Sequence, residues 1–186
     1  MKILLHACCG PCTIYPLQKL RKDGHDIRGY FYNPNIHPFT EFQKRLDNFE
    51  QYAQKEDLPV IVDSEYELDE FLRQVSFREG DRCRVCYGIR LRKTAQIAKR
   101  GKFDAFTTTL LVSPRQKHDL LRDIAVAIGQ EIGIPFYYED FRPGYFEGML
   151  VAKSEEMYRQ QYCGCIYSER DRYRAKNQQN KKGQEE

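Results

Sequence analysis

Seven cysteines stand in a chain of 186 residues. They fall into three tight groups: Cys8, Cys9 and Cys12; Cys83 and Cys86; Cys163 and Cys165. An odd number leaves one thiol over in a purely intramolecular disulfide framework. In a reducing compartment such grouping points to metal ligands or redox catalysts rather than structural bridges. Buried free thiols are the competing reading, but scattered core thiols would not cluster this way. Neighbouring side chains diverge, so Cys8, Cys9 and Cys12 suit one tetrahedral zinc poorly; zinc sites use spaced Cys-x-x-Cys knuckles in pairs. Cys83-Arg84-Val85-Cys86 supplies one such knuckle. The first two groups together offer five thiolates, one more than a cubane iron–sulfur cluster requires. Its iron corners are far enough apart for adjacent cysteines to reach different irons, and a structural zinc is the competing metal. Cys163-Gly164-Cys165 is a close pair around a permissive glycine, which reads as a redox dithiol or as two further metal ligands.

Few other side chains join this chemistry. His37, in a polar loop, is placed for proton transfer, metal ligation or a turn role, whereas His6 ends an apolar segment and reads as a hydrogen-bonded core residue. Asp81, just before Cys83, and Asp140, just after an apolar segment, are candidate proton donors or ligands, although most such acids are caps or ion-pair partners. There is no Gly-x-Gly-x-x-Gly, no Walker A sequence and no Ser-Gly-Gly run after the first strand, so no nucleotide cofactor is expected.

Charge is unevenly spread. Glu50 to Asp81 holds ten acidic and three basic residues, whereas Arg82 to Lys102 holds eight basic residues and no acidic one. A basic block of that density attracts polyanions. Arg84, Arg90, Arg92 and Lys93 are the candidate RNA-binding residues, against the competing reading of a solvated helix face. A hydrophobic content of 41% with 31% charged residues fits a soluble globular protein. Apolar runs such as Ile3-Leu4-Leu5 fall far short of the roughly 18 residues that span a bilayer, and no export signal is evident. A cytoplasmic protein with no membrane partner is expected.

The elements that position these groups alternate. Strands are expected at 2–7, 27–32, 60–62, 104–109 and 136–138. Helices are expected at 13–22, 39–55, about 65–74 with Ser64 as its cap, 84–100, from Ser113-Pro114 to about 131, and 146–160. The chain from residue 175 is polar and expected to be a disordered tail. The pattern describes a single α/β domain over 1–174, with a mostly parallel five-stranded sheet flanked by helices, the second cysteine group on a helical insertion, and C-terminal helices. Ligands of such sheets sit beyond the carboxyl ends of the strands. That rule gathers Cys8–Cys12, the Asn33–Pro38 loop, Leu110–Pro114 and Asp140–Gly144 at one edge.

Five motifs carry a resemblance: His6-Ala7-Cys8-Cys9-Gly10-Pro11-Cys12; Tyr32-Asn33-Pro34-Asn35-Ile36-His37-Pro38; Cys83-x-x-Cys86-Tyr87 with Arg90-Leu91; Thr108-Thr109-Leu110-Leu111-Val112-Ser113-Pro114; and Tyr162-Cys163-Gly164-Cys165. In this order, over residues 1–174, they closely resemble the QueH family of epoxyqueuosine reductases. The resemblance implies an adenine-nucleotide-hydrolase-like (HUP, Rossmann-like) fold. It also implies reduction of the epoxide of epoxyqueuosine, at the tRNA anticodon wobble position, to the alkene of queuosine. By motif, Cys8, Cys9, Cys83 and Cys86 would ligate a [4Fe–4S] cluster, Cys163 and Cys165 would form a redox-active disulfide, and Cys12 is the candidate for an additional iron. Cobalamin is not expected, and an external electron donor is. Phe31, Tyr32, Tyr87 and Tyr145 are candidate stacking partners for a splayed base. A zinc-stabilised RNA-binding module without catalysis is the alternative.

Overall fold

Short apolar segments alternate with amphipathic ones, and the computed structural model, which describes residues 1–182, turns that alternation into an all-parallel sheet. Its strands are β1 (Lys2–Ala7), β2 (Asp26–Tyr32), β3 (Val60–Asp63) and β4 (Ala105–Thr108), in the order β3-β2-β1-β4. β1 is central: Ile3 pairs with Ile27 on one side and Ala105 on the other. Ile3, Leu4, Leu5 and Ala7 are all fully buried, as expected of a parallel strand covered on both faces.

The helices are α1 (Gly10–Lys22), α2 (Phe39–Lys55), α3 (Leu68–Val75), α4 (Arg82–Arg100), α5 (His118–Ile132), α6 (Tyr145–Ser154) and α7 (Ile166–Lys182). α1 packs on α2 and α6, while α4 packs on α5 and α3. Right-handed crossovers account for the two layers. The chain steps from β1 through β2 to β3, then jumps back past β1 to β4, and the helices on either side of that jump, α4 and α5, pack together while α6 returns to α1. That reversal opens a crevice between the carboxyl ends of β1 and β4. Among the described residues no helix is long and apolar enough to cross a membrane.

The sheet has four strands rather than the expected five. Phe136 makes one parallel bridge to Phe106, through Phe106 N–H to the Pro135 carbonyl (3.1 Å) and Tyr137 N–H to the Phe106 carbonyl (2.8 Å). Pro135 has no N–H with which to extend the ladder, and Tyr138 turns aside to bond His118 at 3.1 Å. Ser113-Pro114 does not open a helix either. Ser113 closes a turn with Gln116, and the Lys117 N–H goes to the Tyr87 hydroxyl at 3.1 Å, so α5 starts only at His118. α1 begins at Gly10, which puts Cys12 in its first turn rather than in a loop. α3 begins at Leu68 with no side-chain cap, so Ser64 does not serve as one, and α6 ends at Ser154 rather than near 160. α7 runs through 175–182, where a disordered tail was expected, and residues 183–186 lie outside the described residues.

Candidate active site

The crevice is built from the segments just after β1 and β4. Cys9 is extended at the start of α1, and Pro11 stands in the first turn, where its missing N–H costs nothing. Gly10 is required there, because a Cβ would lie 2.5 Å from Asn48 Oδ1. The first turn then swings Cys12 back beneath Cys8 and Cys9. All three sulfurs lie within 4.8 Å of one another, with Cys8 and Cys9 at 3.8 Å. The expected divergence of this trio is therefore corrected: the helix start makes it converge on one point.

Thr109, at the end of β4, receives the Cys8 N–H at 3.1 Å and turns its hydroxyl to Cys8 Sγ at 3.5 Å. Hydrogen bonds from Cys12 and Cys9, with Thr109 and the Arg90 charge behind them, hold the Cys8 thiol well below its ordinary range. Bonding to that Cys8 thiolate pushes Cys12 up, and burial pushes Cys9 up. Within the trio Cys8 is thus the thiol that ionises most readily, and the thiolate is the form that accepts a metal. Gln160 spans it, accepting from Cys9 at 3.4 Å and donating to Cys12 at 3.3 Å.

Two adjoining cavities meet at this crevice. The first, about 90 Å³, is bordered by Cys8, Cys12, Arg115, Tyr145, Arg159 and Cys163. The second, about 240 Å³, is bordered by Cys83, Cys86, Arg90, Lys117, Cys163 and Cys165. Cys163, Arg115 and Gln116 belong to both walls. The three cysteine groups therefore share one region. Burial raises the Cys83 thiol and takes Cys86 up to about 11.

The Cys163–Cys165 loop is tied down by α2. Arg45, 1% exposed, donates from Nη1 to the Cys163 carbonyl (2.8 Å) and from Nη2 to the Tyr162 carbonyl (2.9 Å), while its Nε binds Glu41 at 2.7 Å. Tyr158 donates to the other Glu41 oxygen. Gly164 sits at φ +148°, a conformation that favours glycine, with Arg45 Nη1 only 3.3 Å from where a Cβ would stand.

His37 belongs to this clamp rather than to a cavity wall. Its N–H donates to the Gly164 carbonyl at 2.8 Å, its carbonyl accepts from the Tyr162 hydroxyl, and its Nδ1 accepts the Ile166 N–H at 3.2 Å. Burial, with Arg90 beside it, lowers the imidazole to about 4, so at pH 7 it is neutral, with its one N–H on Nε2. Asp140 is ill suited as a proton donor. Arg142 binds both its oxygens, at 2.8 and 2.6 Å, and holds the carboxyl at about 2. Asp81 is exposed at the start of α4 and borders neither cavity. His6 is a core residue, donating from Nε2 to the Tyr32 carbonyl at 3.1 Å and paired with Thr108 through Nδ1 at 2.9 Å.

The basic helix is less available than its composition suggests. Arg90 is 2% exposed and borders the second cavity rather than the outer surface. Arg92 forks onto Glu131, and Lys93 pairs with Asp63 at 3.6 Å over the Tyr32 ring. Arg84 is exposed. Phe31 and Tyr32 are buried in the core; of the candidate stacking residues Tyr145 borders the first cavity, and Tyr87, though only 2% exposed, borders the second. Sequence reasoning missed Arg45, Arg115, Gln116, Arg159 and Gln160. For Arg90 the signal was present: Tyr87, Leu91, Thr94, Ala95 and Ala98 are buried, and Arg90 falls on the same helical face.

An α/β fold with a thiol-rich crevice at its strand-order reversal defines a class: a redox or metal protein with soft sulfur ligands. The comparisons sharpen it. The family model for epoxyqueuosine reductase QueH matches residues 3–171. Epoxyqueuosine reductases QueH from Dehalococcoides mccartyi and Thermotoga maritima are 38% and 34% identical, covering 95% and 89% of this chain and 97% and 89% of theirs. The chain belongs to the epoxyqueuosine reductase QueH family. It is an oxidoreductase, which removes the reading of a non-catalytic zinc module. A deacetylase of teicoplanin biosynthesis superposes with a TM-score of 0.49 at 14% identity, over 76% of this chain and 68% of its own, and adds nothing to that assignment. Family membership supports an iron–sulfur cofactor, and the donor set fits one: the thiols are grouped, Cys8, Cys9 and Cys12 are buried, and Arg90 borders the cavity of the others.

Proposed function

We propose that the chain acts on epoxyqueuosine within tRNA, in the cytoplasm, with a [4Fe–4S] cluster on Cys8, Cys9, Cys83 and Cys86 and an additional iron beside Cys12. The observation that carries this reading is the meeting of all three cysteine groups around two cavities with a common wall at Cys163. The strand order, prolonged beyond β4 by the Phe136 bridge, supports an adenine-nucleotide-hydrolase-like fold.

In the reaction the epoxide takes up two electrons and two protons; both C–O bonds break, a C=C bond forms and the oxygen leaves as water. When bound, the cluster supplies electrons singly at low potential and the second metal polarises an oxygen. The chain's own residues do the rest. Cys163 and Cys165 as thiols hold two electrons and two protons, the same count the epoxide consumes, and release them on forming a disulfide. An external donor resets that pair. Gln116 donates from Nε2 to Cys163 Sγ at 3.3 Å and is itself held by the Tyr87 hydroxyl at 2.7 Å. Arg115, Lys117 and Arg159 border the cavities and supply positive charge to phosphates around a splayed nucleotide, with Arg84 further along α4. Tyr145 is the stacking face.

A second reading has its own observation: Cys83, Cys86, Cys163 and Cys165 border one cavity, so the last pair could be ligands. Anaerobic purification with iron, acid-labile sulfide and zinc analysis tests the main reading. Iron of roughly four or five per chain, with conversion of epoxyqueuosine tRNA under a low-potential reductant, is the expected result. About one zinc and no sulfide would overturn it.

A further inference from the structure

Arg90 is a buried cation with no carboxylate partner among the described residues. On the same helix Arg82, Arg92 and Lys93 each pair with a carboxylate, but among the described residues no acid pairs with Arg90, which is 2% exposed. Its one hydrogen bond runs from Nε to Asn35 Oδ1 at 2.8 Å. A guanidinium has donors only, so it is the amide oxygen of Asn35 that must face it, and the flip of that side chain is fixed. Asn35 Nδ2 is thereby turned the other way. Asn35 is fully buried, and Nδ2 has no hydrogen-bond acceptor among the described residues.

An unpaired cation and an orphaned donor in one small volume are two penalties of the same sign. A single anion removes both. Arg90 borders the cavity that holds Cys83, Cys86, Cys163 and Cys165. Cys86 stands one helical turn before Arg90 on α4 and borders the same cavity. The groups that can carry negative charge there are sulfurs.

We infer that Asn35 and Arg90 form a fixed donor pair directed at the sulfur of Cys86, and that this pair raises the reduction potential of the iron–sulfur group bound there. The inference rests on the proposed function, in which Cys86 is one of the cluster's ligands. One-electron reduction adds a negative charge to the group. A nearby cation and an N–H···S bond both stabilise the reduced form more than the oxidised one. Arg90 acts twice, by its own charge and by holding Asn35 with its donor forward. The pair is a positioning and tuning device and need not touch substrate.

The test is an anaerobic redox titration of the reconstituted full chain, followed optically and by electron paramagnetic resonance. Asn35→Asp keeps shape and the oxygen that Arg90 binds, replaces the donor with an acceptor and adds a charge that offsets Arg90, so it removes both parts of the pair at once. Arg90→Gln removes the charge. Arg92→Gln, already neutralised by Glu131 on the surface, reports the effect of losing a remote charge from α4. Both site variants are expected to titrate lower, by about tenfold in the reduced-to-oxidised ratio at a fixed poise, or roughly 59 mV for a one-electron couple. Arg92→Gln should titrate with the wild type. Site variants that hold a wild-type cluster and titrate with the wild type would overturn the inference while leaving the ligand reading intact. A wild-type chain that holds no iron and sulfide would overturn the ligand reading, and the inference with it. Should Arg90→Gln not retain a cluster, Asn35→Asp decides: a lowered potential supports the pair and an unchanged one overturns it.

Discussion

Arg45 donates to the Cys163 carbonyl at 2.8 Å across 118 positions of sequence. That bond ties the one exposed cysteine to the buried face of α2, and Glu41 balances the cation that makes it.

Removing that cation should be costly. Arg45→Met leaves Glu41 buried without its charge partner and frees two carbonyls of the cysteine loop. A loss of about 3–5 kcal/mol is expected in urea unfolding, as for other broken buried pairs. The double variant Arg45→Met/Glu41→Leu should recover part of the stability, because no lone charge remains. It should not recover turnover, because the loop is still untied. Equal stability losses in the single and double variants would show that the clamp does not act through this ion pair.

Gly164 sets a second limit on the same loop. At φ +148° an L side chain is strained, and a Cβ would stand 3.2 Å from Ile36 and 3.3 Å from Arg45. Gly164→Ala should lower stability by about 1–3 kcal/mol. It should also speed alkylation of Cys163 and Cys165, measured by mass spectrometry on intact protein. Unchanged alkylation rates would mean that the loop tolerates the methyl group.

Much of this was legible in the sequence for a physical reason: the information is local. Cysteine grouping, the apolar strands and the Ser/Gly/Pro punctuation are read within a few residues, and four of the five expected strands stand close to where they were expected. What failed was non-local. Ser113-Pro114 has the form of a helix start, but Tyr87 on α4 takes the Lys117 N–H and keeps those residues in a turn. Composition placed Arg90 with the RNA-facing cations, whereas helical period places it with Tyr87 and Leu91 inside. The partners of Asp140 and His37 were also out of sight: Arg142 lowers the Asp140 carboxyl, and burial keeps the His37 imidazole neutral. Arg45 and Gln160 gave no sequence signal, because their value lies in partners more than a hundred positions away.

His37 makes stability depend on pH. Its folded value of about 4 lies below the ordinary 6.5. Above pH 6.5 it is neutral in both states. As pH falls toward 4 the unfolded chain takes the proton first, so stability declines through that window, by no more than ~3 kcal/mol. The expected slope for this group approaches one proton. His37→Asn, which keeps an acceptor for the Ile166 N–H, should remove that increment from a urea-midpoint profile between pH 7 and 4. A variant whose profile follows the wild type would show that other groups dominate.

The corrected map of positive charge predicts which cations matter for tRNA. Arg92 is already neutralised by Glu131, so Arg92→Ala should leave affinity within error. Arg115 borders both cavities and carries no such partner among the described residues. Arg115→Ala should weaken tRNA binding and reduce the slope of log affinity against log salt by about one. Filter binding over a salt series reads both numbers. An unchanged slope for Arg115→Ala, with a reduced one for Arg92→Ala, would return the RNA-binding face to the outer side of α4.

Cys163→Ser separates the two readings of the last cysteine pair. If Cys163 and Cys165 are a redox dithiol, the variant should keep its iron and sulfide while losing turnover with a physiological type of donor. If Cys163 is a ligand, iron should fall and the visible absorption change with it. The serine is nearly isosteric, and Gln116 can still donate to its oxygen, so folding is not in question at an exposed position. Iron and sulfide per chain, measured beside the wild type and beside Cys86→Ser as the expected ligand loss, therefore decide the role of the pair. Retained iron in Cys163→Ser with loss in Cys86→Ser places electron storage in the loop and cluster ligation in α4.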